Sequence, residues 1–166
     1  MEFGHTVPYE RIRPVIGMGG DKVLPLVAGL SADEGDGQRI VERRDAIFVE
    51  RYLPRVRAFP GAQALLVRLR EEGLRLAVAS SSKPDPDIVT AALKRLGEPP
   101  AQAVMVGDTP YDVEAARAAG IGSLAFRCGG WDDAGLEGAL AVYDGPMELL
   151  QRYGQSVLAP VPASAR

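Results

Sequence analysis

Residues Ala103 to Val106 form a short apolar run that stops abruptly at Gly107-Asp108-Thr109-Pro110-Tyr111-Asp112. A run of this length suits a buried strand and is too short for a helix. Thr109 and Pro110 then open a helix, because threonine caps free backbone N–H groups and proline fits the first helical turn. The chain therefore passes directly from strand to helix, and such units repeated along a chain build a parallel sheet. Asp108 falls just past the carboxyl end of its strand, where ligands of open parallel sheets gather. An acid held there beside a helix start suits a divalent cation and a phosphate. The same residues have a purely structural reading. Thr109-x-x-Asp112 is close to a capping box, in which Asp112 only satisfies backbone donors and Asp108 is a solvated loop acid.

The rest of the chain extends this pattern on one side and breaks it on the other, with the division near Pro60. Residues 1–58 read as helical: Lys22 to Leu30 is a short apolar helix candidate, and Gly37 to Leu53 a stronger one. In the second, Val41, Phe48 and Tyr52 lie on one stripe, flanked by Ile40, Ile47 and Arg51. Beyond Pro60, strand candidates at Leu74 to Ala79, Ala103 to Val106, Ile121 to Arg127 and Leu140 to Tyr143 alternate with helix candidates. These helices run over Gly61 to Glu72, Asp85 to Leu96, Pro110 to Ala119 and Pro146 to Tyr153. Gly73, Gly97 and Gly120 stand where three of them must stop. The predicted architecture is α/β, a Rossmann-like parallel sheet with flanking helices. Residues 59–153 form it and residues 1–58 form a helical appendage. From Gly154 the sequence has no amphipathic period and reads as a flexible tail over residues 154–166.

Composition removes several classes of function. The 166 residues carry a net charge of -3, which argues against a sequence-independent grip on nucleic acid. The longest apolar runs are far below the ~20 residues of a membrane-spanning helix, so no membrane partner is expected. The N-terminus lacks the basic start and apolar stretch of a signal peptide. Cys128 is the single cysteine and has no internal disulfide partner, so a reducing cytoplasm is the expected location. It stands before a Gly-Gly turn with no nearby histidine and reads as a packed thiol. His5 is the single histidine and lies near a terminus, which excludes a histidine-based triad or a His-rich metal site.

A second loop belongs beside the first. The candidate strand Leu74 to Ala79 runs into Ser80-Ser81-Ser82-Lys83, followed by Pro84-Asp85-Pro86-Asp87. Hydroxyls and a lysine at a strand tip suit a phosphate, offering donors and a compact positive charge. Alternatively, the serines and Asp85 simply cap the next helix. In a parallel sheet every carboxyl end faces one rim, so Ser80, Lys83, Asp108 and Asp112 are expected to converge.

These segments together resemble a known family. "LAVASS", "SKPDPDIVTAALKRLG" and "AVMVGDTPYDVEAARAAGI" are similar to the second, third and fourth motifs of the haloacid dehalogenase superfamily, closest in style to its phosphoglycolate phosphatase and β-phosphoglucomutase-like branch. Residues 1–58, including "VPYERIRPVIGMGGDKVLP", look like the later part of that branch's helical cap. The resemblance implies a Mg²⁺-dependent phosphatase acting on a small phosphorylated metabolite through an aspartyl-phosphate. It gives Ser80 the role of hydrogen-bond donor to a phosphoryl oxygen and Lys83 that of neutralising the transferring group. Asp108 becomes a direct Mg²⁺ ligand, and Asp112 supports the metal site through water or hydrogen bonds. These roles agree with the chemistry, since phosphoryl transfer depends on positioning and charge stabilisation, and Mg²⁺ prefers carboxylate and water oxygens. Lys22 either faces the substrate from the cap-like segment or is an ordinary solvated lysine.

The sequence departs from the family pattern twice. No strand ends in Asp-x-Asp-Gly-Thr, the motif that supplies the family's nucleophile, its general acid/base and another Mg²⁺ ligand. Asp85-Pro86-Asp87 has the Asp-x-Asp spacing but precedes a helix, and Asp33-Glu34-Gly35-Asp36-Gly37 follows no apolar run. Second, Ser80 and Lys83 are three residues apart, where the family normally places a helix and a strand between them. Loss of the family's central strand leaves two apolar strand edges unpaired, which invites association of copies into a homo-oligomer. Negligible activity is therefore expected, with a non-catalytic Mg²⁺- and phosphate-binding or interaction module as the alternative. Met1 falls within the cap-like segment, so the chain is either truncated, with a strand ending in Asp-x-Asp-Gly-Thr in the reading frame upstream, or a true remnant with an unrelated or stopped frame there.

Overall fold

The computed structural model describes residues 2–80 and 88–160, and the chain divides into two compact units, Met1–Arg57 with Ser80–Pro86 and Ala58–Ala79 with Asp87–Arg166. The start of the helix expected from Asp85, together with Lys83, lies outside the described residues.

The regular elements among the described residues of the first unit are helices. Helices α1 (Tyr9–Ile12), α2 (Gly20–Ala28) and α3 (Gly35–Ile47) follow one another, and α3 continues as a π-helical turn, Phe48–Tyr52, and a 3-10 turn, Leu53–Arg55. The expected apolar stripe along α3 is not buried at its far end, where Phe48 and Tyr52 are 47% and 58% exposed. For Tyr52 the change of winding from Phe48 onward gives a reason: a π turn bonds i to i+5, so residues beyond its start leave the stripe that a 3.6-residue period projects. Val27 is the one buried apolar side chain among the described residues of this unit.

The second unit holds a parallel three-stranded sheet in the order β1 (Val104–Gly107), β2 (Gly122–Phe126), β3 (Ala141–Tyr143). Helices α4 (Ala62–Glu71), α5 (Ile88–Leu96), α6 (Pro110–Ala118) and α7 (Pro146–Gln151) complete it. Alternation along β2 organises the core. Leu124 and Phe126 pack with Leu65 and Leu69 of α4, Leu149 of α7, Tyr143 and Tyr153. Ala125 points the other way and packs with Val113 of α6 and Leu136. A strand buried on both faces reads as a nearly continuous apolar run, as Leu124-Ala125-Phe126 does. Along α4, Leu65 and Leu69 are buried while Leu66 is 53% exposed.

Two expectations are corrected. Leu74–Ala79 is not a strand: it is exposed chain without regular structure, with Val78 93% exposed. β1 pairs with β2 alone, so its other edge carries no strand among the described residues. A ladder needs a neighbour to exchange backbone hydrogen bonds with, and among the described residues neither the apolar segment nor the β1 edge has one. Val106, whose side chain shares a face of β1 with Val104, is 40% exposed beside that edge. The second correction concerns the tail, because the fold continues past Gly154. Ser156 is buried, Leu158 and Ala159 pack on the core, and the Tyr153 hydroxyl donates to the Leu158 carbonyl at 2.8 Å.

The burial pattern predicts where substitutions cost stability. Leu124→Ala or Leu149→Ala is expected to lower the unfolding free energy by about 2–5 kcal/mol in urea titration, against well under about 1 kcal/mol for Leu66→Ala.

Candidate functional site

The site is built where β1 ends. Its last residue, Gly107, is followed by Asp108 and then by Thr109, the N-cap of α6. Asp112 folds back over this junction. Its Oδ2 accepts from the backbone N–H of Asp108 at 3.0 Å, the backbone N–H of Thr109 at 2.9 Å and the Thr109 hydroxyl at 2.8 Å. Thr109 Oγ1 in turn accepts from the Asp112 N–H at 3.3 Å, closing a capping box. A carboxylate here is also favoured by the positive end of the helix dipole.

Gly107 is required by this arrangement. A Cβ at that position would overlap the Asp112 side chain, lying 2.7 Å from Oδ2. The Gly-Asp-Thr-Pro-x-Asp pattern is thus a packing solution as much as a chemical one. It leaves Asp112 committed to the loop backbone, while the Asp108 carboxyl is half-buried at the strand tip. Burial, and secondarily the negative charge of Asp112, push the Asp108 carboxyl above its ordinary range, partly offset by a backbone hydrogen bond.

The ends of the other strands wall the same rim. Arg127–Gly129 forms a 3-10 turn directly after β2, and Gly129 lies so close to Asp108 that a Cβ there would overlap its backbone carbonyl and stand 2.8 Å from its Cβ and Cγ. Arg127 grips Asp133 with two hydrogen bonds, Nε to Oδ1 at 2.6 Å and Nη2 to Oδ2 at 3.0 Å, and reaches Asp144 after β3 at 2.8 Å. These partners hold the guanidinium firmly protonated and the Asp133 carboxyl below its ordinary range. Cys128 packs against the core, and burial followed by the Asp108 charge pushes its thiol up, which suits a protonated, unreactive thiol.

Of the four residues singled out from sequence, the structure brings Asp108 and Asp112 together at this rim. Ser80 belongs to the other unit and follows exposed, irregular chain instead of a strand, and Lys83 lies outside the described residues. Sequence reasoning missed Gly129 and Arg127. The Gly-Gly step after Cys128 reads as a turn, and nothing in its spacing says that the turn folds against Asp108. Among the described residues no group of three or more His, Cys, Asp or Glu side chains is placed to hold a metal ion. Mg²⁺ binds through one or two carboxylates with water and substrate phosphate completing its shell. The half-buried Asp108 fits such a shared site, and the described residues do not form a protein-only cage.

Similar proteins agree with this geometry. A family model for haloacid dehalogenase-like hydrolases matches residues 81–120, which include Asp108 and Asp112. A phosphoglycolate phosphatase from Rhodospirillum rubrum is 32% identical over 148 positions, covering 68% of this chain and 61% of that protein. An N-acetylmuramic acid 6-phosphate phosphatase from Pseudomonas aeruginosa is 26% identical over 190 positions, covering 90% of this chain and 82% of that protein. That alignment takes in about 149 of the 166 residues, so roughly 40 of its positions face no residue of this chain. The crystal structure of a hydrolase from Pseudomonas syringae superposes with a TM-score of 0.77 at 29% identity, covering 90% of this chain and 84% of that one.

Two outcomes follow from the local geometry. Gly107→Ala forces Asp112 off its three donors and is expected to cost about 1–3 kcal/mol in denaturant titration. Because the folded state holds the Asp108 proton more tightly than the unfolded chain, the stability it contributes is present at low pH. It is lost as pH rises through the raised value. The melting temperature of Asp108→Asn relative to wild type, in metal-free buffer, should therefore climb from about pH 4 toward pH 7. A flat or falling difference would contradict this. Motif order, the strand-tip acid, the family match and the shared fold lead to one assignment: the chain belongs to the haloacid dehalogenase superfamily of hydrolases, in its phosphoglycolate phosphatase and β-phosphoglucomutase-like branch.

Proposed function

We propose that this chain is the phosphate-facing part of a Mg²⁺-dependent phosphatase for a small phosphorylated metabolite, and that by itself it binds without turning over. The observation that carries the reading is Asp108, held half-buried at the end of β1 with its neighbour Asp112 already committed to the loop backbone. In this reading Asp108 is the carboxylate that shares a Mg²⁺ with the phosphate, and Asp112 keeps it in place. Ser80 donates to a phosphoryl oxygen and Lys83 neutralises charge on the same group. When bound, the cation withdraws charge from the phosphoryl oxygens. Residues 1–58 serve as part of a substrate-covering cap, and the single cysteine suits a reducing compartment such as the cytoplasm.

Absence of turnover follows from chemistry. An aspartyl-phosphate needs a carboxylate nucleophile on a strand beside β1, and this sequence contains no Asp-x-Asp after an apolar run. The close spacing of Ser80 and Lys83 is read as the loss of a helix and a strand between them, and a relative with roughly 40 positions that face no residue of this chain is compatible with such a loss. The open edge of β1 and the exposed Leu74–Ala79 segment also favour association of copies. A monomeric sedimentation profile at high protein concentration would remove that part of the proposal.

Calorimetric titration of inorganic phosphate into the protein with Mg²⁺ is expected to give heat of binding that Asp108→Asn abolishes. Hydrolysis of p-nitrophenyl phosphate should stay at the protein-free blank. Robust hydrolysis that disappears in Asp108→Asn would overturn the loss of turnover, and no heat at all would overturn the binding.

A further inference from the structure

We infer that Arg127 is a positioning residue for Asp108, acting through the Arg127–Gly129 turn. The functional meaning of this role rests on the reading of Asp108 as the cation- and phosphate-facing carboxylate, whereas the contacts themselves do not.

Three observations combine. The turn leaves β2 immediately beside the end of β1, since Gly107 and Ala125 are register partners. Gly129 then touches the backbone and side-chain root of Asp108 so closely that it leaves no room for a Cβ. Where Gly129 sits therefore decides how far the Asp108 carboxyl can swing back from the rim. The Gly130 N–H donates to the Arg127 carbonyl at 2.8 Å to close the turn, and Cys128 packs its middle on the core. Arg127 ties its outer side. Its planar guanidinium takes Asp133 in a two-bond grip and Asp144 with a third bond, tying the turn to the segment that follows it and to the end of β3. A fork-shaped cation fixes direction as well as distance, which a lysine ammonium does not. Asp144 is braced in turn, since its backbone N–H donates to Glu148 Oε2 at 2.6 Å and Glu148 pairs with Arg152 at 2.8 Å.

A purely energetic role is a poor account of this cluster. The Arg127, Asp133 and Asp144 side chains are 36%, 66% and 81% exposed, and ion pairs so open to solvent add little to global stability. What they contribute is geometry at one place. Losing them should loosen the rim while the core stays intact.

Amide hydrogen exchange of the full chain, followed by NMR without metal or phosphate, tests this directly. The reporters are the Asp108 and Thr109 amides, both bonded to Asp112. In Arg127→Gln their exchange should accelerate roughly ten-fold more than that of core amides such as Leu124. Arg127→Lys should fall between the variant and wild type, and Gly129→Ala should affect the same two amides. Arg152→Gln, one ion pair further out, should leave them nearly unchanged. Uniform acceleration across the core, or unchanged exchange at Asp108 and Thr109 in Arg127→Gln, overturns the inference. If Gly129→Ala does not fold, the two Arg127 variants decide the matter. Because no ligand is present, failure here is separate from failure of phosphate binding by the wild-type chain.

Discussion

Everything proposed for this chain depends on the Asp112 carboxylate folding back to accept three donors at the junction of β1 and α6. A strand that ends on one face of a sheet and a helix that starts on the same rim leave N–H groups without partners. Asp112 satisfies two of them and the Thr109 hydroxyl besides, and the missing Cβ of Gly107 makes the space for it to do so. Asp108 is thereby held at the strand tip with its carboxyl half-buried. The structural and functional explanations of this motif are therefore complementary: one acid caps the helix so that the other can face a ligand.

Local chemistry made this part of the fold legible from sequence. The short apolar run, the Thr-Pro helix start and the glycine stop at Gly120 lie within a few residues of one another, and each has a local physical cause. β2, β3 and α7 were readable for the same reason. The features that sequence did not yield are non-local. Whether Leu74–Ala79 becomes a strand depends on a neighbour to pair with, and a propensity for strand has no effect without one. The outer end of α3 shows the same limit, since a π turn beginning at Phe48 moves Tyr52 off the projected stripe. Arg127 and Gly129 were invisible because their importance lies in what they approach across the sheet.

The partial sheet gives the molecule its particular character. Three parallel strands separate two core clusters, one around Leu124, Phe126 and Leu149 and the other around Ala125 and Leu136, so the second unit has a hydrophobic core of its own. Among the described residues no strand lies beyond β1, which leaves an open edge, a half-exposed Val106 and the exposed apolar segment Leu74–Ala79. In the proposed reading this is also where the chemistry stops, because no described strand brings a nucleophile to the rim assigned to the phosphate.

The central claim is that the strand-end rim around Asp108 holds a phosphate together with Mg²⁺. Amide chemical shifts recorded while Mg²⁺ and inorganic phosphate are added together test it most directly. The account predicts shifts concentrated at Gly107 to Thr109 and at Arg127 to Gly130, absent when Mg²⁺ or phosphate is added alone at the same concentration. Shifts that avoid these residues, or that persist unchanged in Asp108→Asn, would contradict it.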